Sequence, residues 1–421
     1  MTTPVSDPAV PDFVKRLQRF DTYAEIEEIM KSPDFVMAGA EERTVFLEDT
    51  LIMSEGRRHN DLKQLFAPLM SRDAVAYYEL HLVEPVVRQA IAEMDTRRGP
   101  DGLARTDVVP LIHAALTRIS ALVTGVDGVD TPERTERFRE LVLTLSAATT
   151  GSFSTKPQAA MIESGKAAMK TLVDEYLRAS LERRIGLARQ HRAGTVAKEA
   201  LPRDMLTALC LKDDLSRPDD GDKIPYVWRQ CALFLTASIK TTSHSLPHVF
   251  VHLDEWLREH PEDREKLADP EFLHRAAAES FRLHQTSPAR FRAAVRDVTL
   301  STGRKVAQGE MVALHAPPAN VQAEVFGEDA RHFNPWRETP KGMQPWGMTF
   351  GLGTHSCLGR TLVTGITNRG DERHGTHGTA VRIMMALYGL GAELDPENPP
   401  QRPHESMHDT YESVPMILRR S

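Results

Sequence analysis

Apolar residues recur at helical spacing through most of the chain. "TYAEIEEIMKS", residues 22–32, shows that period behind a Thr start. It runs on through "AYYELHLVEPVVRQAIAEMD", "TERFRELVLTLSAATT" and "SGKAAMKTLVDEYLRASLERRIGLARQH". A longer helix is predicted from Tyr226 to about Glu259, apolar on most faces and therefore interior. Pro247 is expected to bend it, because proline removes a ladder bond and crowds the preceding turn. Another helix is predicted over about Glu271 to His284. Strand-like pieces, "FRAAVRDVTL" and "EMVALHA", come next, then the Pro-, Gly- and Trp-rich coil "HFNPWRETPKGMQPWGMTFGLGTHSC". "RAGTVAKEALPRD" and "KDDLSRPDDGDKIP" read as surface connections, not as an interdomain linker. No internal repeat is visible. The fold class expected is mainly α with a small β subdomain gathered late in the chain, in a single domain over 1–421.

Composition removes several functions. With 41% hydrophobic and 26% charged residues and a net charge of -7, no basic excess exists to neutralise phosphates. Aromatics, at 6%, are too sparse for base-stacking platforms, so no nucleic-acid partner is expected. Cys210, Cys231 and Cys357 are far apart and odd in number, which points to a reducing compartment. "MTTPVSDPAVPDFVKRL" is neither a signal peptide nor an anchor. The longest apolar run, "CALFLTA", is too short to span a bilayer. A cytoplasmic enzyme with no membrane partner is expected.

The chemistry concentrates in "FGLGTHSCLG", Phe350 to Gly359. A thiolate is a strong soft ligand for iron or zinc. Glycines at 351, 353 and 359 admit close backbone N–H groups. "CLGRTLVTG" then reads as a helix start, whose free N–H groups favour an anion. His355 stands beside Cys357, able to donate to a carboxylate. Glu279 and Arg282, at i and i+3, share one helix face.

Phe350, Gly353, His355, Cys357 and Gly359 fit Phe-x-x-Gly-x-His-x-Cys-x-Gly. This resembles the haem-binding signature of the cytochrome P450 family. The resemblance implies the fold of that family, a triangular helical prism around haem b (iron protoporphyrin IX). It implies that Cys357 is the axial thiolate on the iron, that His355 pairs with a haem propionate, and that Phe350 shields the sulfur. Glu279, Arg282 and Arg337, the last in "FNPWR", match the family's structural Glu/Arg trio behind the haem. "EGRRHNDLK" resembles an early helix whose His and basic residue meet a propionate, hence His59 and Lys63. The usual Arg at the second place is Lys63, a single-point donor and not a fork. "ARFRAAVRD" resembles the strand that supplies a propionate Arg; Arg292 fits the spacing to Asp297, and Arg290 competes.

Two departures stand out. Where the family carries Ala-Gly-x-acid-Thr, this chain reads Ala237, Ser238, Ile239, Lys240, Thr241. The resemblance makes Thr241 the donor toward bound dioxygen. Lys240 replaces the acid, and an ammonium only donates unless its pKa is depressed. Proton delivery then runs through water and the Ser238, Thr241 and Thr242 hydroxyls, or oxygen activation is altered: peroxide-dependent, or absent in a haem-binding accessory protein. A zinc site built from Cys357, His355 and the loop histidines His374 and His377, without haem, is a further alternative. The second departure is an apparent insertion, residues 366–378, before the helical pattern resumes near Thr379. Asp371, His374 and His377 within it read as a solvated loop.

The activity implied is monooxygenation: hydroxylation or O-demethylation of a hydrophobic small molecule with dioxygen. No iron–sulfur cysteine set and no flavin domain are present in the sequence, so a separate ferredoxin and ferredoxin reductase, drawing on NAD(P)H, are implied. Arg57, Arg58, Lys63, Arg72 and Arg360 are candidates for a basic docking patch. Substrate contacts are expected from about 70–90, around Phe153, and from Ser287 to Phe291.

Overall fold

The computed structural model describes residues 12–39, 41–212, 215, 223–287, 289–366, 376–403 and 409–419. The chain forms two compact units, one of 1–38, 83–112 and 241–421, the other of 39–82 and 113–240. The helix Tyr226–Glu259 belongs partly to each and runs unbroken through Pro247.

In the first unit a four-stranded sheet has the order Gln18–Phe20, Met311–Leu314, Arg290–Ala294, Phe35–Met37. Gln18 pairs with Val312 in parallel, whereas Arg290 opposes Leu314 and Met37 opposes Arg292 in antiparallel ladders. Strands therefore come from both ends of the chain, not only from its later part. The three-residue strands Gln18–Phe20 and Phe35–Met37 are too short to show a period of two, and their partners, Val312 for Gln18 and Ala294 for Phe35, lie far along the chain. The helix Tyr23–Lys31 buries Ile26, Ile29 and Met30. They join Phe20, Val312, Leu314 and Met348 in one apolar core.

The helix Pro270–Leu283 starts as proline-first helices do. The Asp269 carboxylate accepts the Glu271 N–H at 2.9 Å, and Pro270 needs no partner for a missing donor. It buries Phe272, Leu273, Ala276 and Ala277 and packs on the helix Gly378–Gly389. A second sheet, Arg97–Arg98, Ala104–Asp107, Pro415–Leu418, Ala392–Leu394, is antiparallel throughout.

The second unit is helical. Pro132–Thr149 and Gln158–Leu172 pack side by side, and Gly165 permits it: a Cβ there would meet the Ala148 Cβ at 2.3 Å. The predicted single helices over 76–95 and 164–191 are helical, but each contains one wider π turn, Glu79–Val83 and Val173–Leu177. Among the described residues no helix is long and apolar enough to cross a membrane.

Candidate functional site

The loop bearing Cys357 is folded by its own backbone. The Cys357 N–H donates to the Phe350 carbonyl at 2.7 Å, and the Gly351 N–H to the Met348 carbonyl at 2.8 Å. Gly351 and Gly353 have φ of 70° and 69°, which other residues adopt at a cost. Gly353 also faces the end of the helix Tyr23–Lys31: a Cβ would stand 2.4 Å from the Met30 carbonyl oxygen. Gly359 differs. Its φ is -77° and a Cβ would meet no atom within 4 Å.

The sulfur is accessible at its surface, although chain atoms crowd its other sides. That crowding pushes the Cys357 thiol up, against hydrogen bonds from the Gly359 and Arg360 N–H groups and the charges of Arg360 and Arg290. Two backbone donors and two guanidinium groups therefore all favour a thiolate. The Arg360 guanidinium lies over the Trp346 ring at 5.1 Å, and Trp346 meets Phe350 edge-on at 5.5 Å. Phe350 also meets Phe281 edge-on at 6.2 Å. The predicted helix after Cys357 forms, but as only Arg360–Thr364; Gly365, at φ 71°, ends it. Ile366 and Thr376 then pair across a bridge, and Gly378–Gly389 resumes the helix. Asp371 and His374 lie outside the described residues.

Glu279, Arg282 and Arg337 meet in one ion-pair cluster. Arg282 Nε and Nη2 each donate to Glu279 at 2.7 Å, and Arg337 Nε donates to Glu279 at 2.9 Å. Arg337 also holds Asp329 at 2.6 Å. Arg282 Nη1 reaches the Asn320 carbonyl, and Asn320 Oδ1 accepts the Met348 N–H at 2.9 Å. Thr349 Oγ1 donates to the Phe281 carbonyl at 2.7 Å. The trio thus grips the start of the cysteine loop through Asn320 and Phe281.

On the strand Arg290–Ala294, Arg290 and Arg292 share one face. Arg292 is buried and donates to the Phe291 carbonyl at 2.9 Å. Arg290 donates to the Thr349 carbonyl at 2.7 Å, and burial pulls its guanidinium down to about 10, with the Cys357 sulfur opposing. His355 is half-buried. In the second unit His59 is buried and Lys63 half-buried, one turn apart on the helix Gly56–Phe66. Arg58 donates to the Tyr226 hydroxyl at 2.6 Å, which ties one member of the predicted basic patch.

The long helix is buried or half-buried from 231 to 253 except at two positions, Ala237 and Thr241, one turn apart. The Ser238 hydroxyl donates to the Phe234 carbonyl at 2.6 Å, within its own helix. Thr242 is buried. Burial lowers Lys240 to about 8.

A sequence profile for the family described as Cytochrome P450 matches residues 23–364. The chain belongs to the cytochrome P450 family. A search of curated proteins finds no match. Among solved structures, this P450 is similar to CYP109E1 from Bacillus megaterium in complex with testosterone (19% identity, TM-score 0.68, 98% of this chain and 95% of that one). It is also similar to CYP154A1 from Streptomyces coelicolor A3(2), at 19% identity and TM-score 0.66 over 95% and 91% of the two chains. CYP164A2 from Mycobacterium smegmatis, without ligand, gives 18%, 0.66, 94% and 90%. The mainly α fold with small sheets is that of the P450s.

P450 proteins bind haem b through a cysteine thiolate, and membership supports a monooxygenase. The residues present fit such a group. Burial pushes the Cys357 thiol up, and four separate donors or charges at the sulfur act in the other direction, toward a thiolate. A Cβ at Gly359, two residues further on, would stand in open space. An otherwise covered helix exposes a small residue and a hydroxyl. Sequence reasoning placed Arg290 second to Arg292 and did not anticipate its contact with Thr349. It missed His248, His252 and His284 altogether, although "HVFVH" carries an i, i+4 pair.

Proposed function

We propose that Cys357 is the axial ligand of haem b in this P450, and that the protein hydroxylates or O-demethylates a hydrophobic small molecule. The observation that carries this reading is the set of groups around the sulfur: the N–H groups of Gly359 and Arg360 and the guanidinium groups of Arg360 and Arg290. Haem bound there supplies dioxygen chemistry, with the thiolate pushing electron density that favours O–O cleavage. Gly353 lets the loop close on Met30, and Phe350, wedged between Trp346 and Phe281, covers the sulfur side. His355, His59, Lys63 and Arg292 are the proposed propionate partners. Glu279, Arg282 and Arg337 hold the loop's framework.

Ala237 and Thr241 face the substrate in this reading. Thr241 Oγ1 holds the proton to be delivered. Ser238 is a poor relay, since its proton is committed to Phe234. Lys240 Nζ is the candidate replacement, because a group lowered to about 8 exchanges a proton near neutral pH. Thr242, buried behind Thr241, is a supporting hydroxyl. Electrons come from a ferredoxin and its reductase in the cytoplasm. The whole chain acts as one haem domain, with 366–378 as an insertion. The same Lys240 and Ser238 observations favour one second reading: peroxide-dependent or non-catalytic haem binding. Substrate-dependent NAD(P)H consumption with a surrogate ferredoxin and reductase decides between them. Turnover supports the monooxygenase; haem binding without turnover supports the second reading; failure to take up haem removes both.

A further inference from the structure

Three histidines and a carboxylate from three segments meet in the first unit, and none has a part in the haem reading. His248 and His252 leave the helix Tyr226–Glu259 one turn apart. His284 follows the helix Pro270–Leu283, and Asp409 precedes the strand Pro415–Leu418. The Nε2 atoms of His252 and His284 stand 3.2 Å apart. Behind each, the other ring nitrogen is already held. His284 Nδ1 is hydrogen-bonded to the Asp409 carboxylate, and His252 Nδ1 to the Ser280 hydroxyl at 3.1 Å.

The proton count is informative. Asp409 also accepts from Arg402, so it is an ionised acceptor. His284 Nδ1 must then carry a proton, which leaves Nε2 with a lone pair in the neutral ring. Two Nε2 atoms at this distance share one proton, or they share a cation. The edge of a tetrahedron around zinc with bonds of about 2.0–2.1 Å is roughly 3.3 Å, close to the separation observed. A ring oriented through Nδ1 by a carboxylate, with Nε2 aimed inward, is how metal-binding histidines are held. His248 stacks on His284 at 3.8 Å, and its Nε2 lies 3.6 Å from Asp409 Oδ1. The donor atoms of His248, His284 and Asp409 all fall within 4.8 Å of one another.

We propose that this cluster binds one divalent cation of the zinc class through His252 Nε2 and His284 Nε2, with Asp409 and Ser280 orienting the two rings. His248 Nε2 donates to the Asp409 carbonyl at 3.1 Å, so its ring supports the site by stacking on His284 and does not ligate through that atom. The cation takes the place of the shared proton at Nε2, and the neutral His252 ring carries that proton on Nδ1, where it donates to the Ser280 hydroxyl. Imidazole donors select zinc, nickel, cobalt or copper over magnesium and calcium. His252, His284 and Asp409 are each half-buried, which leaves the cluster reachable from solvent. Binding would clamp the Asp409 segment onto two helices.

The test uses the full-length, haem-loaded protein, stripped with a chelator and dialysed against zinc in excess magnesium. Metal content is read by mass spectrometry, and the haem spectrum reports folding. The wild type should retain about one zinc per chain, and the double variant H252Q/H284Q should bind at least ~100-fold more weakly. Asp409→Asn keeps both nitrogen ligands and the fold of the helices; it should weaken zinc by about 10- to 100-fold and lower the zinc-dependent rise in melting temperature. His377→Gln, outside the cluster, should change nothing. Zinc retained equally by wild type and both cluster variants overturns the proposal. So does a wild type that holds no zinc at micromolar concentration.

Discussion

Arg282 spans Glu279 with both ends of its guanidinium at 2.7 Å, and neither side chain reaches solvent appreciably. The pair is worth little as an attraction, since both charges had to leave water. Its importance lies in what it anchors. Arg282 Nη1 fixes the carbonyls of Asn320 and Ala330, and Asn320 in turn fixes Met348 at the start of the cysteine loop.

Removing the carboxylate should therefore be severe. Glu279→Gln leaves Arg282 and Arg337 facing a neutral amide and should cost about 3–5 kcal/mol in denaturant unfolding. Arg282→Lys keeps the charge but loses the fork, and one carbonyl contact goes with it. Both variants should lose haem faster than the parent during heating. A Glu279→Gln protein as stable as the parent would contradict the role given to the trio.

The two glycines flanking Cys357 should separate folding from haem retention. Gly353→Ala forces a Cβ onto the Met30 carbonyl at a φ of 69°, and should destabilise the haem-free chain by about 1–3 kcal/mol or more. Gly359→Ala meets neither obstacle, so the haem-free chain should unfold as the parent does. Its haem affinity should fall, because the methyl stands in the open space that Gly359 leaves two residues from the proposed ligand. Equal melting of both haem-free variants, or full haem affinity in Gly359→Ala, would refute this division.

Much of this architecture could be read before the structure. The long helix kept its expected bounds because thirty-odd residues of apolar periodicity average out local exceptions. Glu279 and Arg282 were legible because i, i+3 spacing on a helix guarantees proximity. The strands Gln18–Phe20 and Phe35–Met37 were not, since three residues carry no usable period and their partners lie far along the chain. Arg290 and Arg292 could not be ranked from sequence, because alternate strand residues share a face and only the neighbouring loop separates their roles. The histidine cluster was hidden for the same reason: His284 and Asp409 are separated by 125 positions and meet only through tertiary packing.

Cys357→Ser tests the ligand assignment without disturbing the loop, since serine preserves the N–H bond to Phe350. The ferrous carbon-monoxide form of the parent should show the red-shifted Soret band of a thiolate-ligated haem. The variant should lose that band, whether or not it retains haem. Persistence of the band in Cys357→Ser would exclude this sulfur as the ligand.

Lys240 should reveal itself in the pH dependence of stability. Its ordinary value is 10.5, and burial lowers it to about 8 in the folded chain. Between those two values the unfolded chain binds a proton that the folded chain does not, so this group makes stability rise with pH. The gain is complete above the unfolded value and is lost as pH falls through about 8, where the folded chain must carry a poorly solvated ammonium. Lys240→Met removes that cost. The variant should melt higher than the parent at neutral pH, and the gap should narrow steadily as the buffer is taken from pH 7 toward about 10. Thermal scans of both haem-loaded proteins across that range measure it. Parallel curves with a constant offset would mean that Lys240 keeps its ordinary pKa in the folded chain, which would also withdraw it as a proton carrier near neutral pH.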